Sequence, residues 1–399
     1  MPKAYKPPKL DSPPVYTTAA NTSIAEFVGR RRSRRRKKRG EAPGDIVASK
    51  TSASYRAHTY HTKVPPEGIT PFIERYSHPG DVVLDPFCGS GMTGVAALSA
   101  GRRPVLIDLS PAATFIAANY CARPDPECLR REAEAVLDAV RPELDPLYAT
   151  RCRGCGEPAA IRYTVWSERC GCPECNEEFA LWDVAREKRR VKGVVACPNC
   201  GREGARGKWQ LLEPVPVLVK YRCRACGMQE APPEEADIET ARLADSGGWE
   251  RRLAYPRTPI PKRGDEIARV HNQGISRVDQ LFTRRNLRAV AALWHAIATF
   301  PDLECRQQLF FVLTGSMPRA SRTNKYIPAL RIAPGPILGT MYIPGFHPEL
   351  NVLSLFARKL KDAARYFESV VAVDPEQAVR ISTQSAADLG NIPDGSIDY

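Results

Sequence analysis

The sequence predicts an α/β chain: a parallel βαβ unit near its start, then a long insertion of small metal-held β units and helices. Three observations carry this. Residues 80–110 (GDVVLDPFCGSGMTGVAALSAGRRPVLIDLS) read as strand, glycine turn, helix, strand and acid. Residues 150–230 hold four Cys-x-x-Cys pairs. Several stretches after residue 280 repeat apolar residues at helical spacing.

In the first stretch an apolar run (Val82, Val83, Leu84) ends in Asp85, and the chain turns through Phe87-Cys88-Gly89-Ser90-Gly91 into a small-residue helix. A second run, Pro104 to Ile107, ends in Asp108. An acid about twenty residues after a glycine turn is the spacing a nucleoside-cofactor βαβ unit requires. Gly89 and Gly91 would let the backbone approach a ligand that a Cβ would exclude. Asp108, at the tip of the second strand, can accept both hydroxyls of a ribose. The turn lacks the third glycine of a dinucleotide GxGxxG and the lysine of a phosphate-binding GxxxxGK[ST].

The full string Asp85-Pro86-Phe87-Cys88-Gly89-Ser90-Gly91 resembles motif I of the amino-methyltransferases, S-adenosylmethionine-dependent enzymes that methylate exocyclic nitrogens of adenine or cytosine in DNA. The resemblance implies an α/β, Rossmann-like S-adenosylmethionine-dependent methyltransferase fold, and the cysteine spacing and helical periodicity add inserted zinc ribbons and a helical region to it. It also implies that Asp85 through Gly91 and Thr93 cradle S-adenosyl-L-methionine and that Asp108 takes its ribose. His61-Thr62-Lys63-Val64-Pro65-Pro66 resembles the motif just upstream, adding Thr62, Lys63 and Pro65 to the cofactor set; on spacing alone it also reads as a proline-rich loop. Near the end, AVRISTQSAADLG resembles the segment before the family's catalytic motif, which brings Ser385 and Asp388 to the cofactor adenine.

Zinc is the second expected cofactor. Cys152/Cys155 and Cys172/Cys175 are separated by sixteen residues, Cys197/Cys200 and Cys223/Cys226 by twenty-two. Taken in sequence order, these make two sets of four cysteines, and a closed four-thiolate shell is structural rather than catalytic. Cys170 is an extra candidate that could replace Cys172. IRYTVW and VPVLVKYRC alternate as short strands. Arg151, Arg153, Arg222 and Arg224 beside the knuckles suit nucleic acid, or are solvated loop residues.

The formal net charge is +13, but Arg30 to Arg39 (RRRSRRRKKR) supplies nine of those charges, leaving +4 for the remainder. The run is sequence-blind phosphate-binding material or a solvated arm. No run of about eighteen apolar residues exists, which argues against a membrane span. The N-terminus lacks an apolar signal core, and 13 cysteines are expected to hold metal, so a cytoplasmic location is expected.

The resulting organisation is a disordered basic arm (1–50), a cofactor half (51–148), two zinc ribbons (149–230), a mainly helical region (231–372) and the start of a catalytic half (373–399). Helices are expected at 69–76, 110–120, 127–140, 281–300, 304–314 and 352–371. Thr314 to Tyr326 is expected as a polar loop whose Arg319, Arg322 and Lys325 face phosphates or bases. Trp294 is expected in the core and His295 on a helix surface.

By resemblance, Ser396 to Tyr399 should run on into a [Asp/Asn/Ser]-Pro-Pro-[Tyr/Phe/Trp] tetrapeptide. That tetrapeptide is absent from residues 1–399, so the catalytic residues are expected just after Tyr399 and the chain is expected to be a fragment. None of the cysteines follows a proline, which argues against cytosine-C5 methylation. The expected function is site-specific transfer of a methyl group to an exocyclic amine of double-stranded DNA, with a cognate restriction or defence component as a further partner. The alternatives are an RNA guanine-N2 methyltransferase and a non-catalytic zinc-ribbon nucleic-acid-binding protein.

Overall fold

A computed structural model of the chain describes residues 20–29, 43–44, 46, 48–185, 194–205, 209–301, 303–337, 339–370 and 379–399. The Arg30–Arg39 run lies outside these residues. The chain divides into two compact units. One comprises residues up to Arg56 with Thr62–Pro124 and Tyr366–Tyr399; the other comprises Ala57–His61 with Asp125–Arg365.

The first unit is built on a parallel sheet. Its strands are β1 (Val82–Asp85), β2 (Arg103–Asp108) and β13 (Arg380–Thr383), with β2 in the middle. The last residues add to the free edge of β1: Tyr399 N–H donates to Val82 O at 3.2 Å, and Leu84 N–H donates to Tyr399 O at 2.8 Å. That alternation is a parallel register. β1 therefore has a neighbour on each side, reached by chain running in opposite directions across the sheet, which makes it the topological switch point.

Side chains alternate across these strands. Val83 packs with Ile73 of α3 (Thr70–Tyr76) and with Ala96 and Ala97 of α4 (Met92–Ser99). Leu106 packs with Leu98 and with Ala117 and Cys121 of α5 (Pro111–Cys121). Ser110 caps α5, its hydroxyl accepting from Ala113 N at 3.4 Å, with proline at the first helical position. Val82 and Val105 face the other way, onto Ile24, Phe27 and Val28 of α1 (Ile24–Val28). Order thus begins well before Ala53, the start of the short helix α2 (Ala53–Ala57), and the expectation of a wholly disordered 1–50 is corrected. The reason is burial: the second face of the sheet must be covered, and α1 covers it. Asn21 anchors the helix to the edge strand through Ser382 Oγ at 2.9 Å and Ile381 O at 3.1 Å.

The second unit opens with α6 (Pro126–Leu144), which buries Leu129, Ala133, Val136 and Val140 along one face. The cofactor half is expected to reach residue 148, but α6 belongs to this unit, and the Thr62–Pro124 segment of the first unit stops before it. Next come β3 (Ala149–Arg151), β4 (Pro158–Gly171), β5 (Glu178–Ala180), α7 (Leu181–Ala185), β6 (Val194–Ala196), β7 (Glu203–Ala205), β8 (Gln210–Cys223) and β9 (Gly227–Ala231). β4 and β8 form one long antiparallel hairpin, with Ala159 opposite Cys223 and Gly171 opposite Gln210. β9 extends β8, while the other edge of β4 is shared end to end by β3, β12 (Phe346–Leu350) and β5.

Helices α8 (Glu235–Arg242), α9 (Trp249–Arg252), α10 (Asp265–His271), α11 (Arg284–Thr299), α12 (Arg306–Ala320) and α13 (Val352–Ser369) and the β10–β11 hairpin (Asn324–Ile327, Ile332–Pro336) complete the fold. Two local expectations fail. α12 runs through Ala320, so Thr314–Ala320 is helix rather than loop. Trp294 is 40% exposed, its ring 4.5 Å from Phe310 on the helix surface. Among the described residues, no helix is long and apolar enough to cross a membrane.

Candidate cofactor and metal sites

Three loops meet at the carboxyl ends of the parallel strands. After β1, Asp85 Oδ1 accepts from Phe87 N at 3.0 Å, which sets the turn and leaves Phe87 78% exposed. Gly89 (φ +51°) and Gly91 (φ +78°) take left-handed conformations. Packing requires glycine at position 91 as well, because an added Cβ would lie 2.6 Å from Ala117 Cβ of α5.

After β2, each oxygen of Asp108 takes one backbone N–H at 2.9 Å: Oδ2 from Gly89 and Oδ1 from Ser110. The glycine turn and the acid are thus one hydrogen-bonded unit. A carboxylate oxygen has two acceptor positions, so one on each remains for a ribose hydroxyl. After β13, Gln384 N–H donates to Asp108 O at 3.1 Å and brings the Ser385–Asp388 turn to the same edge. Gln384 does not stand out in the sequence, and Ser110 stands out there only as a helix cap, because both meet Asp108 through main-chain N–H groups that residue type does not mark.

Of the remaining residues expected at the cofactor, Ser90 is buried, Pro86 and Thr93 are half-buried, and Thr62 is exposed. Pro65 is buried ahead of a 3-10 turn that packs on α4. Lys63 departs from expectation. Its buried ammonium is taken up by the carbonyls of Ser54 and Tyr55 and by Tyr120 Oη at 3.0 Å, so it ties three segments together instead of reaching a ligand. Burial, helped by the Asp108 and Asp85 carboxylates, pushes the Cys88 thiol far above its ordinary range, so it is no nucleophile.

The eight paired cysteines come together as two clusters, but not in sequence order. Cys152 and Cys155 meet Cys223 and Cys226, while Cys172 and Cys175 meet Cys197 and Cys200. The pairing expected from spacing is corrected by the β4–β8 register: an antiparallel hairpin brings the start of one strand beside the end of the other. Measured Sγ···Sγ separations are 3.6 Å (Cys155–Cys223), 3.7 Å (Cys172–Cys200) and 3.7 Å (Cys175–Cys197). They are too long for a disulfide of about 2.05 Å. They fit the tetrahedral edge of about 3.8 Å that Zn–S bonds of about 2.3 Å imply. Burial raises the Cys152 thiol, but the N–H groups of Cys155 and Gly154 outweigh it and bring the pKa down to about 6, which favours a thiolate. Cys170 lies in β4 opposite Phe179 and Leu211, outside both clusters.

A parallel sheet with a glycine turn, an acid at the next strand tip and a third loop at a switch point defines the nucleoside-cofactor-binding class of α/β proteins. Residues 4–119 match the N6/N4 methyltransferase family model described as DNA methylase. YubD of Escherichia coli (strain K12), a protein named as a putative methylase, is 38% identical over 96 residues, 23% of this chain and 42% of YubD. The type II methyltransferase M.XycI of Xanthomonas campestris pv. cyanopsidis is 43% identical over 63 residues, 16% of this chain and 21% of that one. M.MjaII of Methanocaldococcus jannaschii, also a type II methyltransferase, is 35% identical over 75 residues, 18% and 14%. The likeness to N6/N4 DNA methylases is thus confined to the N-terminal part of the chain. The matches span less than half the length of each of these relatives. No solved structure matches the chain.

Proposed function

We propose that this chain is the cofactor-binding and target-recognition part of an enzyme that transfers a methyl group from S-adenosyl-L-methionine to N6 of adenine or N4 of cytosine in double-stranded DNA. The observation that carries this reading is the Gly89–Asp108–Ser110 unit, which presents an oriented carboxylate beside an exposed aromatic ring at the switch point of the sheet. When bound, the cofactor supplies the methyl group. The chain's own residues hold it: Asp108 accepts the ribose hydroxyls, Phe87 and the glycine turn line its length, and Ser385 and Asp388 meet the adenine.

The target amine needs acceptors for its protons and a base removed from the stack. In this reading those acceptors come from a tetrapeptide following Tyr399. The parallel pairing of Tyr399 with β1 supports this, because chain continuing that strand would emerge at the carboxyl edge, beside Asp85. The likeness to type II methyltransferases extends the proposal to a restriction component as partner.

Asp108→Ala should weaken S-adenosyl-L-methionine binding by about 10- to 100-fold, the loss of hydrogen bonds to a charged acceptor at about 1.5–3 kcal/mol. Calorimetric titration reads the affinity, and a melting curve checks that freeing Gly89 and Ser110 has not unfolded the site. Unchanged affinity in a folded variant would remove the cofactor reading.

The DNA reading rests on a second feature, in the zinc-bearing unit. Arg162 of β4, Arg222 of β8 and Arg358 of α13 are exposed and have no carboxylate partner among the described residues. Arg162 Nη1 donates to Ser354 Oγ at 3.0 Å, one helical turn before Arg358, and Arg222 lies on the adjacent strand. Burial and the neighbouring Arg222 and Arg358 charges hold the Arg162 pKa below its ordinary value. Such a like-charge cluster is relieved by a polyanion. Replacing all three by alanine should make the slope of log K against log salt for duplex DNA shallower by about two to three. An unchanged slope would place the DNA surface elsewhere.

A further inference from the structure

Besides the two knuckle clusters, the second unit holds a mixed sulfur and oxygen cluster that neither the cofactor reading nor the knuckles use. Cys128 and Glu132 lie one turn apart on the buried face of α6. Cys305 is the N-cap residue of α12 and Glu304 precedes it. One ligand atom each of Cys128, Glu132 and Cys305 lies within 4.8 Å of the others, and all three residues are buried. The exposed Glu304 reaches in from outside, its Oε2 3.5 Å from Cys128 Sγ.

We propose that Cys128, Glu132, Glu304 and Cys305 form a third structural zinc site, joining α6 to the start of α12. The donor set is two thiolates and two carboxylates, which suits zinc rather than magnesium or calcium. Zn–S bonds of about 2.3 Å and Zn–O bonds of about 2.1 Å give a tetrahedral S···O edge of about 3.6 Å. The observed Cys128 Sγ separations, 3.3 Å to Glu132 Oε1 and 3.5 Å to Glu304 Oε2, sit close to that edge.

Glu132 is held in place as a ligating carboxylate needs to be: Oε1 accepts from Glu304 N and Oε2 from Cys305 N, each at 2.9 Å. Arg131 Nη2 lies 3.2 Å from Cys128 Sγ and offsets part of the negative charge. Zinc binding forms two Zn–S bonds and releases both thiol protons to solvent, with no change of oxidation state.

The test is the zinc content of the full chain, purified under reducing conditions without chelator. Three zinc ions per chain are expected, falling to two in Cys128→Ser and Cys305→Ser with the eight knuckle cysteines still metal-bound. Cobalt substitution gives an independent readout in the unmodified chain: a third equivalent should bring the weaker charge-transfer absorption of two thiolates rather than four. Two zinc ions in the unmodified chain, or three in folded Cys128→Ser, would overturn the proposal. So would a Cys128–Cys305 disulfide, seen as a loss of two protons in intact mass before reduction.

Discussion

A chain with Cys152, Cys155, Cys223 and Cys226 all replaced by serine will lose one zinc and keep the ion held by Cys172, Cys175, Cys197 and Cys200 tightly bound. The pairing follows from the hairpin. Residues 152–155 precede β4 and residues 223–226 follow the Cys223 end of β8, and the register sets these ends side by side. If the clusters followed sequence order, the same four substitutions would leave two ligands at each site, and both ions would go. Zinc analysis after mild chelation separates the outcomes. A structural zinc site supplies an apparent 10–16 kcal/mol or so at neutral pH, comparable to the whole stability of a typical domain. The Ala159–Cys223 end of the β4–β8 ladder should therefore lose amide-exchange protection while the Gly171–Gln210 end keeps it. Loss of both ions would sink the nested arrangement.

Glu349→Gln will destabilise the second unit by about 3–5 kcal/mol, with denaturant unfolding as the measurement. Glu349 sits in β12 and is fully buried, as is Arg285 of α11 beside it. Its carboxylate accepts from Arg285, from the Thr283 hydroxyl and from Trp166 Nε1 at 2.9 Å. Arg285 also donates to Leu147 O at 3.1 Å and Thr164 Oγ1 at 2.9 Å, so it binds α11 to both β12 and β4. Neutralising the acid leaves a guanidinium charge buried without its counter-ion, which is the costly way to break such a pair. Replacing both partners by methionine should cost less than Glu349→Gln alone, because no charge is then stranded. A Glu349→Gln cost under about 1 kcal/mol would show that the network does not hold the sheet to the helices.

The residues behind these two results differ in how far a linear reading reaches them. The cysteines announce themselves by spacing, and only their partners escape it. Arg285 and Glu349 announce nothing. Phe346-His-Pro-Glu-Leu350 looks like a polar proline segment, yet it is a fully buried strand. Its proline is tolerated because β12 is the edge strand, and its charge is tolerated because Arg285 meets it. The residues of α1 likewise read as part of a polar arm, although Ile24, Phe27 and Val28 complete a core.

What the sequence determined by itself is the local chemistry. The strand–turn–helix–strand–acid order, the α5 cap, the amphipathic α6 and α13, and the eight cysteines that gather into two clusters all depend on neighbours a few residues apart. Their signals survive in a linear reading. Tertiary structure alone decided how the cysteine pairs combine, which segment covers the second face of the parallel sheet, that Lys63 is spent on internal carbonyls, and that β12 closes the edge of β4. Each of these depends on groups tens to hundreds of residues apart, brought together by strand register and by the need to cover apolar faces and pair buried charge. Nothing in the local spacing of residues encodes such a choice among partners.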